Sequence, residues 1–185
     1  MNNKMILVIK DDVEEEDDAD GNQEIYVLDR RSGKNTRLTR NAAIDTAPAY
    51  SPTGREIAFT SDRSGNPQIY IMDAEGLNQR RFSWDGSYNE SAAWSPDGEK
   101  IAYVSRIDGR FELVVQEVVS GKTTRLTAGR GNNENPRWSP DSRHLVFSSD
   151  RAGTYDIYTI PAAGGEARRL TRNGNCFTPD WSRTP

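Results

Sequence analysis

The chain has 185 residues, 34% of them hydrophobic, and 24 Lys and Arg against 28 Asp and Glu give a formal net charge of -4. Mean hydropathy is -0.83, and no apolar run approaches the roughly 18 residues that span a bilayer, which argues against membrane insertion. The length allows one domain with a real core, and the modest apolar share suits stacked sheets that bury one face while many turns stay wet.

The first element, Met5 to Lys10, is a short apolar run that meets Asp11 and Asp12 almost at once. It lacks the length and the small-residue cleavage site of a secretory signal. The expectation is therefore a cytoplasmic protein, or a periplasmic one if a leader has been removed. Residues 11 to 20 then carry eight acids and no base; the remainder holds 24 bases against 20 acids, dispersed through the chain. Dispersed charge is not the clustered footprint of a nucleic-acid binder. Within the acidic stretch, Glu16, Asp18 and Asp20 stand at alternate positions before Gly21, like the opening of a calcium loop, but Val27 occupies the twelfth position where a bidentate Glu belongs. A solvated acidic loop is the plainer reading, and calcium is the one cofactor the sequence raises.

From Glu24 onward the chain repeats itself. Arg37-Leu38-Thr39, Arg81-Phe82-Ser83, Arg125-Leu126-Thr127 and Arg169-Leu170-Thr171 recur every 44 residues. Ile25-Tyr26, Ile69-Tyr70, Leu113-Val114 and Ile157-Tyr158 keep the same period. So do Tyr50-Ser51, Trp94-Ser95 and Trp138-Ser139, with Trp181-Ser182 following at 43. Each unit reads as four short strands. Strand a ends in the aromatic-Ser pair, a Gly-containing turn leads to an apolar strand b such as Ile57-Ala-Phe-Thr, and strands c and d follow. Tandem four-stranded units of 40-odd residues are the signature of propeller blades. The fold expected is an all-β propeller of four four-stranded blades: blade 1 at 5–40 plus 177–182, blade 2 at 45–84, blade 3 at 89–128 and blade 4 at 133–172. On this count the first blade is completed by the C-terminal strand, which removes two open edges. A closed four-bladed monomer follows, with exchange of that strand between two chains as the alternative.

The stretches Ala49-Tyr-Ser-Pro-Thr-Gly-Arg-Glu-Ile-Ala-Phe-Thr-Ser-Asp-Arg-Ser-Gly-Asn-Pro-Gln-Ile-Tyr70 and Trp138-Ser-Pro-Asp-Ser-Arg-His-Leu-Val-Phe-Ser-Ser-Asp-Arg151 resemble the propeller repeats of the TolB family. The resemblance spans residues 5 to 182 and implies a non-catalytic, TolB-like propeller. TolB itself resembles a six-bladed ring behind a further N-terminal domain and a signal peptide, which differs from the four units here.

The loops joining strand d to the next strand a break the template, and variation on a fixed scaffold is where function tends to sit. Trp84 fills a slot held by Arg40, Ala128 and Arg172 elsewhere. With Tyr88, Asn89, Glu90, Asn132 and Phe177 it forms the candidate surface for a protein or peptide partner, an exposed Trp being a common interface anchor. Trp94, Trp138 and Trp181 keep the repeat register and are expected between blades. Asp45, Asn89 and Asn133 share one repeat position; with Glu134 they could hold a cation, or they cap the start of strand a as Asn and Asp do in turns. A metal-dependent, hydrolase-like propeller enzyme is thus the second reading. The lone histidine, His144, occupies a variable strand position, no Gly-x-Ser-x-Gly elbow is present, and the lone Cys176 identifies no compartment.

Overall fold

The computed structural model describes residues 5–11 and 22–182, so Glu16, Asp18 and Asp20 of the acidic stretch lie outside the described residues. The described chain is an all-β propeller of four antiparallel sheets without a helix. Sheet one holds β1 (Met5–Asp11), β2 (Gln23–Asp29) and β3 (Asn35–Arg37). Sheet two holds β4 (Asp45–Tyr50), β5 (Glu56–Ser61), β6 (Gln68–Asp73) and β7 (Arg80–Arg81). Sheet three holds β8 (Asn89–Trp94), β9 (Lys100–Ile107), β10 (Arg110–Glu117) and β11 (Thr123–Arg125). Sheet four holds β12 (Asn133–Trp138), β13 (His144–Ser149), β14 (Asp156–Pro161) and β15 (Arg168–Arg169).

Two compact units contain these sheets, residues 1–84 with sheets one and two, and residues 85–185 with sheets three and four. The first unit's core packs Ile25, Val27 and Leu38 of sheet one on Ile57, Phe59, Tyr70 and Met72 of sheet two. The second packs Val104, Leu113 and Val115 on Trp138, Leu145, Phe147 and Ile160. β5, β6 and β9 are buried on both faces along most of their length, which is why they read as continuous apolar runs rather than as alternation.

The turn after strand a is set by its serine. Ser51, Ser95 and Ser139 hydroxyls accept the backbone N–H of Glu56 (3.1 Å), Lys100 (2.9 Å) and His144 (2.9 Å), while Gly54 and Gly98 take φ of 71° and 76°. Inside strand a the register slips once per blade, between Thr46 and Ala49, Glu90 and Ala93, and Glu134 and Arg137. Ala47, Ser91 and Asn135 sit at those bulges with φ of 49°, 58° and 55°. One extra residue per blade is accommodated by a left-handed kink.

Among the described residues sheet one has three strands, and residues 177–182 are assigned to none. Thr178 repeats the left-handed kink of the other inner strands (φ 48°), and the Trp181 indole N–H donates to Arg137 O at 3.1 Å, as Trp138 donates to Ala93 O at 2.9 Å. The segment thus lies against sheet four as one inner strand lies beside the next, through an indole rather than a backbone ladder. A ladder needs a hydrogen-bonding neighbour; within this unit β12 is already paired to β13, and Pro179 offers no N–H.

Candidate loop-face site

Antiparallel order places the b–c loop and the loop that leads into strand a at the same end of each of sheets two, three and four. The structure ties them together: Asp62 accepts the N–H of Ile44 at 2.9 Å, and Asp150 accepts the backbone N–H (2.6 Å) and amide nitrogen (3.2 Å) of Asn132.

Beneath these loops, the start of each strand a is occupied by a fully buried polar residue. Asp45 accepts from Arg63 and Asn41, each at 2.8 Å, through one carboxylate oxygen. Asn133 accepts from Ser149 (2.9 Å) and Arg151 (2.6 Å), and its amide nitrogen donates to Phe111 O and to Glu112, both 3.1 Å. Asn89 donates to Asp85 O at 2.8 Å. The arginines are held flat by aromatic pairs: Arg63 lies 5.3 Å from the Phe59 ring and 4.9 Å from Tyr70, Arg151 5.3 Å from Phe147 and 4.8 Å from Tyr158. Most of these contacts join neighbouring strands of one sheet, and those of Asn133 to Phe111 and Glu112 join sheet four to sheet three. Among the described residues no group of three or more His, Cys, Asp or Glu comes together as a metal cluster, and Glu134 accepts a hydrogen bond from Tyr155 OH at 2.8 Å.

Above this layer, the second unit carries an aromatic row. Tyr88 lies 5.9 Å from Phe111, Phe111 N–H donates to Asn132 at 3.2 Å, and Tyr155 lies 4.8 Å from Phe177, which is 52% exposed. Tyr88 OH donates to Glu90 at 2.8 Å, matching the Tyr155–Glu134 bond. Burial, helped by the acceptor carboxylate, pushes both phenols up to about 12. They remain neutral donors at physiological pH. Phe111 and Tyr155 were not singled out from sequence, although they share the repeat slot of Pro67 and so stand 44 residues apart. In the first unit Trp84 is 70% exposed, its ring 4.7 Å from the Arg81 guanidinium. His144 is exposed on β13, and its backbone meets Ser139.

The TolB beta propeller domain family matches residues 15–124 and 93–184. A TolB homolog of Chlorobium chlorochromatii (strain CaD3) is 45% identical over 42 residues, which is 23% of this chain and 10% of that protein. The crystal structure of TolB from Acinetobacter baumannii superposes with TM-score 0.82 at 29% identity, over 96% of this chain and 43% of that one. A putative TolB from Agrobacterium tumefaciens gives 0.75 at 28% identity, over 81% and 55%. The chain thus spans about half or less of the length of each of these relatives. A protease, a lyase and a peptidase at 16% to 19% identity share the fold alone.

Proposed function

Because the chain belongs to the TolB β-propeller family, we propose that it is a non-catalytic scaffold that presents its d–a loop face to a protein or peptide partner. The observation that carries this reading is the exposure of two large aromatics on those loops, Trp84 at 70% and Phe177 at 52%. Aromatic anchors of that kind dominate interfaces when a partner desolvates them. Tyr88, Glu90 and Asn132 add hydrogen-bonding groups to the loops of the second unit, whereas Asn89, fully buried, belongs to the scaffold beneath them. The buried Asp45 and Asn133 serve the scaffold in this reading, because their hydrogen bonds join strands of the same or the neighbouring sheet. No helix of the described residues is long and apolar enough to cross a membrane, and the envelope setting implied by the family resemblance is part of the same proposal.

The test is titration of a purified partner, first identified by affinity capture on the native chain, against wild type, Trp84→Ala and Phe177→Ala. Truncating a hot-spot aromatic costs about 2 kcal/mol of affinity or more, roughly a thirtyfold weakening. Trp84→Ala should leave the melt nearly unchanged, because an exposed cation–π contact is worth only about 0.5–1 kcal/mol. Unaltered affinity in both variants would refute the loop-face reading.

A further inference from the structure

The outermost strand of each sheet is stapled by one repeated set of side chains. Arg37, Arg125 and Arg169 each send Nε to the carbonyl two residues on, Thr39, Thr127 and Thr171. Each also pairs through a terminal nitrogen with a fully buried acid: Glu24 at 3.1 Å, Glu112 at 3.0 Å, and Asp156. The threonine hydroxyl donates to that same acid. Three cations are thereby neutralised inside their own sheets.

Sheet two keeps the geometry and loses the charge. Arg81 Nε donates to Ser83 O, and the Ser83 hydroxyl donates at 2.8 Å to residue 68, which is a glutamine. Among the described residues, no carboxylate lies in ion-pair contact with Arg81. In this same sheet the next slot holds Trp84, whose exposed ring covers one face of the guanidinium. The two departures from the repeat meet at one point. A half-buried guanidinium without its own acid, backed by an indole and open at its terminal nitrogens, is a receptor for a carboxylate.

We propose that Arg81 and Trp84 bind an acidic segment of a protein partner, a Glu or Asp carboxylate pairing with the open terminal nitrogens of Arg81 and supplying the charge that Gln68 lacks where Glu24, Glu112 and Asp156 carry it, with the adjoining chain lying on the indole. Charge complementarity selects the occupant: a basic or neutral segment would leave Arg81 uncompensated at a desolvated interface, which is costly. The inference rests on the partner-binding reading above and names the chemistry that this part of the surface takes.

The probe is an acetylated, amidated hexapeptide with two Glu and two Leu between Gly ends, titrated against labelled protein while the Trp84 indole and Arg81 Nε–H signals are followed. Its Gln-for-Glu isostere and free glutarate are the controls. Expected is saturable movement of both signals with the Glu peptide, at least tenfold tighter than with either control. Gln68→Glu combined with Ser83→Thr rebuilds the sister-sheet set, so it supplies the missing acid internally. It should fold as wild type and bind the Glu peptide at least tenfold more weakly. Trp84→Ala, followed at Arg81 Nε–H, should also weaken it. Equal binding of Glu and Gln peptides, or undiminished binding by Gln68→Glu/Ser83→Thr, would overturn the acidic assignment, and equal binding of glutarate would overturn recognition of a chain segment, each leaving the partner-binding reading intact. A partner whose affinity is unmoved by Trp84→Ala and Phe177→Ala, alongside a selective Glu peptide, would do the reverse.

Discussion

Asn133 has no solvent contact and bonds through both ends of its amide, so its removal strands several buried groups at once. Leaving even one buried donor or acceptor unsatisfied costs about 1–3 kcal/mol. Asn133→Ala is therefore expected to lower stability by about 2 kcal/mol or more in denaturant melts, whereas Asn132→Ala, half-exposed, loses less. The sequence shows that residues 45, 89 and 133 share a slot. It cannot show what each meets, because Arg151 lies 18 residues on and Glu112 lies in the preceding sheet. Asp156 gives a pH-dependent case. The Thr171 hydroxyl, Arg169 and the Gly174 N–H hold its carboxyl below the usual range against the opposing effect of desolvation. A carboxyl depressed in the fold stabilises above its unfolded value near 4, and that contribution is lost as pH falls through the folded value. Asp156→Asn should therefore cost stability at neutral pH, with the gap from wild type narrowing below about pH 4, as melts across pH would show. A constant gap would mean that the charge of Asp156 contributes nothing.

The 44-residue period makes the strands legible, because each apolar b and c strand is bounded by the same Gly and Ser turn chemistry in successive copies. The inner-strand bulge is not legible. Ala47, Ser91 and Asn135 share a left-handed backbone without sharing a residue type that favours it, so packing imposes the kink rather than local preference. A non-glycine residue held left-handed carries roughly 1–2 kcal/mol of strain. Ala47→Gly should recover up to about 1 kcal/mol after the greater freedom of the unfolded glycine is subtracted, and Ala47→Val should destabilise. Chemical denaturation of the pair tests this by the sign of the two changes. The segment from Phe177 to Ser182 is legible in part. Its sequence matches an inner strand and its backbone keeps the kink, but composition cannot say whether a strand b is available beside it.

For the molecule as a whole, the repeat and the resemblance establish the propeller and its family, while oligomeric state depends on edges that no repeat period encodes. Among the described residues sheet one has three strands, and residues 177–182 are assigned to none. Light scattering on the purified chain is expected to give 20.7 kDa at every concentration; a stable species of twice that mass would indicate exchange of segments between copies. The staples of the outer strands have a further consequence, in lifetimes rather than contacts. β7 and β15 are only two residues long, so each remains closed largely through its staple, one neutral at Gln68 and one ionic at Asp156. The amides of Phe82 and Leu170, which close these strands onto Ile69 and Ile157 at 2.8 Å, report the local opening of each. Normalised for intrinsic exchange, deuterium protection at Leu170 should fall as solutions are made more acidic than about pH 4, while that at Phe82 stays level. Acid would then open the outer strand of sheet four sooner and leave that of sheet two to keep its own time.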